Sequence, residues 1–109
     1  MSWDIDLAID TTGGNELTHV VDVGNMTWNV SPMYYEAFGE NGIKGLNGML
    51  ADEAILKVHD AIKYMEAEPD KFKAMNQPNG WGDYEGALAF LKKLLELICE
   101  HPKTTIRIT

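Results

Sequence analysis

Residues 3–10 read Trp-Asp-Ile-Asp-Leu-Ala-Ile-Asp, so apolar and polar side chains alternate along most of the stretch. Successive side chains of a β-strand point to opposite faces of a sheet, and this period of two predicts a strand with one buried face and one wet face. Turn-forming residues, among them Gly13 and Gly14, separate it from the β-branched residues of 17–24. We therefore predict an N-terminal β-hairpin formed by residues 3–10 and 17–24.

Three helices are predicted to follow the hairpin. The first is short and covers residues 32–38, because Ser31 can cap its start, Pro32 suits the first helical position, and closely spaced glycines follow. The second starts near Asp52, which is interpreted as an N-cap or as part of an acidic first turn. The third is the most apolar helix, and Asp83 is predicted to be its N-cap.

The fold class predicted from these elements is α+β. Residues 104–109 form a β-branched alternating run that can pair with the hairpin. The expected architecture is a small antiparallel sheet, made of the N-terminal hairpin and a C-terminal strand, with about three helices packed on one face. A chain of 109 residues fits one core, so residues 1–109 are interpreted as a single domain.

The chain is acidic, with 17 Asp and Glu residues against 9 Lys and Arg residues and a formal net charge of −8. Such a charge is repelled by phosphate backbones and anionic membranes, so we expect neither direct nucleic-acid binding nor membrane binding. The first residues lack the pattern of a signal peptide, and we expect a cytoplasmic protein. The single cysteine, Cys99, cannot form an internal disulfide and is expected to be buried within a helix.

Known catalytic patterns are absent from the sequence. There is no phosphate-binding glycine loop, no nucleophile elbow and no histidine pair at metal-binding spacing. His19, His59 and His101 are far apart in the chain. Asp4, Asp6 and neighbouring carboxylates on the first strand could in principle hold a hard cation, but a solvated strand face is the preferred interpretation. We predict no catalytic residues, no metal site and no cofactor.

Two polar and aromatic segments are the candidate binding region. The first is Asn25-Met26-Thr27-Trp28-Asn29, whose alternating Asn and Thr side chains would point the same way in an extended chain. The second is Asn79-Gly80-Trp81-Gly82-Asp83-Tyr84-Glu85, which leads into a helix N-terminus. The alternative interpretation is purely structural: both segments form turns and helix caps, and their aromatic side chains pack at the edges of the core. If they meet in space, the predicted ligand- or partner-binding residues are Asn25, Thr27, Trp28, Asn29, Asn79, Trp81, Tyr84 and Glu85.

The same two segments resemble a family of small uncharacterised proteins from bacteria and their phages. The resemblance rests on residues 25–33, on residues 79–87, and on Cys99-Glu100-His101-Pro102 followed by a short β run. It covers roughly residues 20–109 and leaves the strand at 3–10 unmatched. It implies a bacterial cell or an infected host cell as the setting, and it carries over no catalytic residues.

The leading functional hypothesis is a non-catalytic binding module of phage, prophage or bacterial origin that recognises a host protein or a small polar ligand. One alternative is a small hydrolase or transferase that uses Asp83, Glu85 and a histidine brought near by folding. Another is an inhibitor that mimics nucleic acid and binds a basic protein through its acidic surface. The sequence is compatible with a monomer or a homodimer.

Overall fold

The strands form one three-stranded antiparallel sheet with the order β2-β1-β3 along the sheet, where β1 is Ser2–Ile9, β2 is Thr18–Thr27 and β3 is Thr105–Ile108. The computed structural model describes residues 2–10, 17–76, 78, 80 and 82–109. Both neighbours pair antiparallel with the central β1, which confirms the predicted sheet of hairpin plus C-terminal strand. The hairpin turn, at residues 11–16, lies outside the described residues.

The alternating pattern of β1 gives the sheet its two faces. Trp3, Ile5 and Leu7 are buried, while Asp4 and Asp6 point to the opposite face, where they pair across with β2 and β3. The β1–β2 register shifts twice, which lets β2 run to ten residues. Strand β2 therefore extends beyond its predicted end at residue 24 and contains the start of the first candidate segment.

Four α-helices and two 3-10 helices make up the remaining regular structure of the described residues. The α-helices are α1 (Ser31–Phe38), α2 (Ala51–Ala67), α3 (Pro69–Lys73) and α4 (Tyr84–Glu100), and the 3-10 helices are Trp28–Val30 and Gly42–Leu46. The prediction that Ser31 caps α1 was wrong, because the 3-10 helix leads directly into α1. The Ser31 hydroxyl instead donates to the Trp28 carbonyl at 2.6 Å.

One hydrophobic core joins the sheet to the helices. Helices α2 and α4 pack against each other, and α4 also contacts β2. The stripe of α4 buries Ala87, Leu91, Leu94 and Ile98 at helical spacing, as the sequence predicts. The start of α4 also agrees with prediction, since the Asp83 carboxylate accepts a hydrogen bond from the Gly86 amide at 2.7 Å. No helix in the described part of the chain is long and apolar enough to cross a membrane.

The predicted burial of Cys99 was wrong, and its side chain is exposed. Each helical residue is rotated by about 100° from the one before it. Ile98 occupies the buried stripe, and this rotation carries Cys99 past the edge of the stripe to solvent.

The outer edge of β3 is covered by the chain that precedes α2. The Gly48 amide donates to the Ile106 carbonyl at 2.8 Å, and the Ile106 amide donates to the Met49 carbonyl at 2.9 Å. The Asn47 side chain extends this cover, since its Oδ1 accepts from the Ile108 amide at 2.8 Å. This pairing fixes the position of the 3-10 helix Gly42–Leu46, which ends immediately before it.

Candidate functional site

The two candidate segments are neighbours in space, and they meet at Gly82. A Cβ atom at position 82 would lie 2.6 Å from Cγ2 of Thr27 and 3.0 Å from Cγ1 of Val30. Gly82 has a φ of +88°, a conformation that glycine adopts without a steric penalty. The backbone at Gly82 therefore packs directly on the end of β2 and the 3-10 helix that follows it.

The three polar residues of the first segment do not form one row. Asn25 lies in β2 and donates from Nδ2 to Oγ of Ser2 and Oδ1 of Asp4, both at 2.9 Å. Thr27 caps the 3-10 helix, and its hydroxyl accepts from the Asn29 amide at 3.3 Å. Since Asn29 is already helical, the extended arrangement expected from the sequence stops at Thr27.

The described residues of the second segment are largely engaged within the fold. Tyr84 is buried, and its hydroxyl donates to the Met65 carbonyl at 2.8 Å. Burial also raises the pKa of the Tyr84 phenol. Glu85 is exposed and lies 3.9 Å from the Lys73 ammonium. The two other predicted site residues of this segment, Asn79 and Trp81, lie outside the described residues.

Among the predicted site residues that the structure describes, Trp28 presents aromatic surface to solvent, with 41% of its surface exposed. It borders an open depression of about 140 Å³. The residues lining this depression are Trp3, Trp28, Ser31, Tyr35 and Lys44. Tyr35 is 53% exposed, so two large aromatic side chains face solvent at one place. We refer to these five residues as the aromatic depression.

The two exposed rings are held by packing from beneath. The Trp28 ring lies 6.2 Å, centroid to centroid, from the buried Trp3 ring, which in turn lies 6.1 Å from Tyr34. The Tyr35 ring covers Gly42, where a Cβ atom would lie 3.2 Å from Cδ1 of the ring. Because this packing already restricts the rotamers of the two rings, they lose little conformational entropy on binding, and the surface is preorganised.

Sequence reasoning missed four of the five residues of the aromatic depression. The spacing of Trp28, Ser31 and Tyr35 is i, i+3 and i+7, which places side chains on one side of a continuous helical path. That signal was present in the sequence, because a 3-10 helix followed by α1 makes such a path. Trp3 and Lys44 reach the depression through tertiary packing, for which the sequence carries no local signal.

A second group of polar side chains lies on the outer face of the sheet. The Asp6 carboxylate accepts two hydrogen bonds from the Arg107 guanidinium, one of them from Nε at 3.0 Å. The Nδ1 atom of His19 lies 2.7 Å from the same carboxylate. These hydrogen bonds, chiefly those from Arg107, hold the pKa of Asp6 below its ordinary value despite partial burial. A depression of about 300 Å³ lies beside this group and is lined by Asp4, Asp6, Asp22, Arg107 and Thr109.

The acidic residues named in the enzyme alternative have other partners. Asp83 caps α4 and Glu85 faces Lys73, whereas His19 contacts Asp6 and Asp22, and His59 contacts Asp60. Across the described ranges, no group of three or more His, Cys, Asp or Glu side chains is arranged to hold a metal ion. In the described part of the fold, the shortest contact between a carboxylate and an imidazole is the one between Asp6 and His19.

Comparison of the chain with protein-family models, with curated proteins and with solved structures finds no match.

Proposed function

We propose that this chain is a non-catalytic binding module that recognises a partner protein through the aromatic depression. The observation that carries the proposal is the pair of exposed rings, Trp28 and Tyr35, beside a depression of about 140 Å³. Tryptophan and tyrosine are the residues that most often dominate the binding energy of protein interfaces. They supply a large apolar area with few rotatable bonds, so ordering them costs little.

The size of the depression favours a partner protein over a small polar ligand. Pockets for drug-sized ligands typically enclose roughly 300–1,000 Å³. The aromatic depression is about 140 Å³ and open to solvent, which suits one or two side chains of a partner better than an enclosed small molecule. A protein partner also gains contact area from the surface around the depression.

The arrangement of the titratable groups supports a non-catalytic role. Asp6 is engaged by Arg107, and both ring nitrogens of His19 face carboxylates, with Asp22 lying 3.6 Å from Nε2. Such mutual pairing is typical of a structural surface network. Following the family resemblance, we place the partner inside a bacterial cell, as a host protein met by a phage or prophage product.

Site-specific photocrosslinking tests this proposal. The photoreactive residue p-benzoylphenylalanine replaces Tyr35 in one version of the protein and Leu56 in a control version. Leu56 is also an exposed apolar side chain, but it lies on α2 and does not line the depression. Irradiation in a bacterial lysate is expected to give a discrete crosslinked protein from position 35 and none from position 56.

The identified partner then allows a direct measurement. We expect Trp28→Ala to weaken its affinity by roughly thirtyfold or more, the effect of an interface residue worth about 2 kcal/mol. Circular dichroism spectra matching the wild-type protein exclude unfolding as the cause. Equal crosslinking from positions 35 and 56, or an affinity insensitive to Trp28→Ala in a folded protein, would refute the proposed surface.

A second candidate function is favoured by the Asp6–His19 contact. A carboxylate that orients an imidazole is part of many hydrolases, and Asp6, the carboxylate of this pair, borders a depression of about 300 Å³. The candidate would be a small hydrolase or transferase centred on His19. Turnover of a chromogenic ester or phosphoester that is abolished by His19→Gln and kept in Trp28→Ala would favour it over the binding module.

A further inference from the structure

The charge within the aromatic depression is opposite in sign to that of the chain. The protein carries a formal net charge of −8, yet the five residues that line the depression include one lysine and no carboxylate. Lys44 lies in the 3-10 helix Gly42–Leu46 with an exposed side chain. An anion that approaches this part of the surface therefore meets an ammonium group beside apolar rings.

Lys44 has no internal counter-ion among the described residues. Glu36, the carboxylate adjacent in sequence to Tyr35, is engaged elsewhere. It pairs with the Lys71 ammonium and accepts a hydrogen bond from the Tyr64 hydroxyl. The positive charge at Lys44 is thus left to be satisfied by solvent or by a bound partner.

We infer that the aromatic depression recognises an extended segment of a partner protein in which an Asp or Glu carboxylate adjoins an apolar side chain. The apolar side chain packs between Trp28 and Tyr35, and the carboxylate pairs with Lys44. This inference rests on the proposed function and adds the chemistry of the partner to it.

A carboxylate fits better than a more highly charged group. Lysine binds anions as a point charge with three donors, and tight phosphate sites add further donors such as arginine or backbone amides. Here the remaining lining residues are Trp3, Trp28, Ser31 and Tyr35, and the Ser31 hydroxyl already donates to the Trp28 carbonyl. The net charge of the chain also opposes a dianion more strongly than a monoanion.

Selection from a displayed library of random twelve-residue peptides tests the inference. The wild-type protein, Lys44→Glu, Lys103→Glu and Trp28→Ala are used as baits. Lys103 is an exposed lysine outside the depression, so its substitution changes the net charge by the same amount. We expect the wild-type protein and Lys103→Glu to enrich peptides with Asp or Glu next to an apolar residue. Lys44→Glu is expected to enrich Lys or Arg at that position.

Affinity measurements on one enriched peptide give a second readout. An exposed ion pair contributes modestly, so we expect Lys44→Met to weaken binding about two- to fivefold. The affinity of the wild-type protein should fall with added salt, and that of Lys44→Met should fall less.

The outcomes separate the two proposals. Peptides of the same charge preference from the wild-type protein and Lys44→Glu would overturn the carboxylate inference but leave the binding surface standing, provided that Trp28→Ala loses enrichment. The absence of any enrichment that depends on Trp28 would overturn the surface itself. Sedimentation that shows a dimer for the wild-type protein and a monomer for Trp28→Ala would assign the depression to a second copy of this chain. That result would overturn the inference that the depression recognises a segment of another protein.

Discussion

Gly82 and Thr27 approach each other so closely that a Cβ atom at position 82 would lie 2.6 Å from the Thr27 methyl carbon. Real Cβ atoms do not approach other atoms this closely, so the contact requires glycine. It joins the segment before α4 to the 3-10 helix that begins with Trp28. The position of one side of the aromatic depression therefore depends on a glycine about 55 residues further along the chain.

Gly82→Ala is expected to destabilise the protein for two reasons. The φ of +88° at this position is strained for any residue with a Cβ, at a cost of roughly 1–3 kcal/mol. Overpacking against the β-branched side chains of Thr27 and Val30 adds a comparable cost, and we expect a total loss of about 2–6 kcal/mol in the free energy of unfolding. Urea denaturation measures this difference.

Gly80→Ala is the matched control for Gly82→Ala. Gly80 has a similar φ of +74°, but a Cβ atom there would meet no atom of the described residues within 4 Å. Its substitution should therefore show the conformational cost alone. Equal losses for the two variants would mean that a Cβ atom beside Thr27 causes no steric cost at position 82.

The second prediction concerns the pH dependence set by Asp6. The pKa of Asp6 is lowered in the folded state, so the charged carboxylate stabilises the fold at pH values above its unfolded-state pKa, which is near 4. This stabilisation is lost as the pH falls through the lower, folded-state pKa. Asp6→Asn should lower the free energy of unfolding at pH 7 by about 1 kcal/mol, the scale of a solvent-accessible ion pair. The difference from the wild-type protein should shrink towards pH 2.5.

Asp22→Asn tests whether this effect belongs to the pairing with Arg107. Asp22 lies on the same face of the sheet, but its side chain is 84% exposed and its contact with His19 is longer, at 3.6 Å. Its substitution should change stability by less than about 0.5 kcal/mol at either pH. A stability gap for Asp6→Asn that stays constant from pH 7 to pH 2.5 would contradict the linkage.

Much of the architecture could be predicted from local patterns. The period of two in β1 and the apolar stripe of α4 identify their elements because burial on one face imposes that spacing. The Asp83 cap could be predicted because it acts within one helical turn. Such features depend only on neighbouring residues, and the sequence contains them in full.

The features that were not predicted depend on contacts between distant parts of the chain. Lys44 reaches the same depression as Trp28 through tertiary contacts of the 3-10 helix Gly42–Leu46, among them the pairing of the following segment with β3. Tyr84, one of the predicted ligand- or partner-binding residues, is buried, and its hydroxyl donates to the Met65 carbonyl of α2. The sequence alone does not indicate whether an aromatic residue at the start of a helix binds a ligand or packs in the core.

A third prediction uses the adjacent residues Tyr34 and Tyr35. The Tyr34 hydroxyl is buried and donates to the Ala87 carbonyl at 3.0 Å, so it ties α1 to α4. Tyr34→Phe should lower the free energy of unfolding by about 1 kcal/mol, the net value of one buried hydrogen bond. Tyr35→Phe, which alters an exposed hydroxyl, should change it by less than about 0.5 kcal/mol. Chemical denaturation of both variants checks the ranking, and a reversed order would show that the link to Ala87 is not stabilising.

The final prediction concerns Cys99, which is exposed although it lies on the most apolar helix. A thiol-specific reagent such as DTNB should modify it in the folded protein at a rate close to that of a small free thiol, because no unfolding is required to reach it. Ile98→Cys in a Cys99→Ser background supplies the control, since position 98 is fully buried in the same helical turn. A thiol introduced there should react only through opening of the structure, and its rate should rise steeply with urea. Similar rates at positions 98 and 99 in native buffer would contradict the orientation of α4. The core depends on that orientation, and so does the hydrogen bond from Tyr34 to the Ala87 carbonyl.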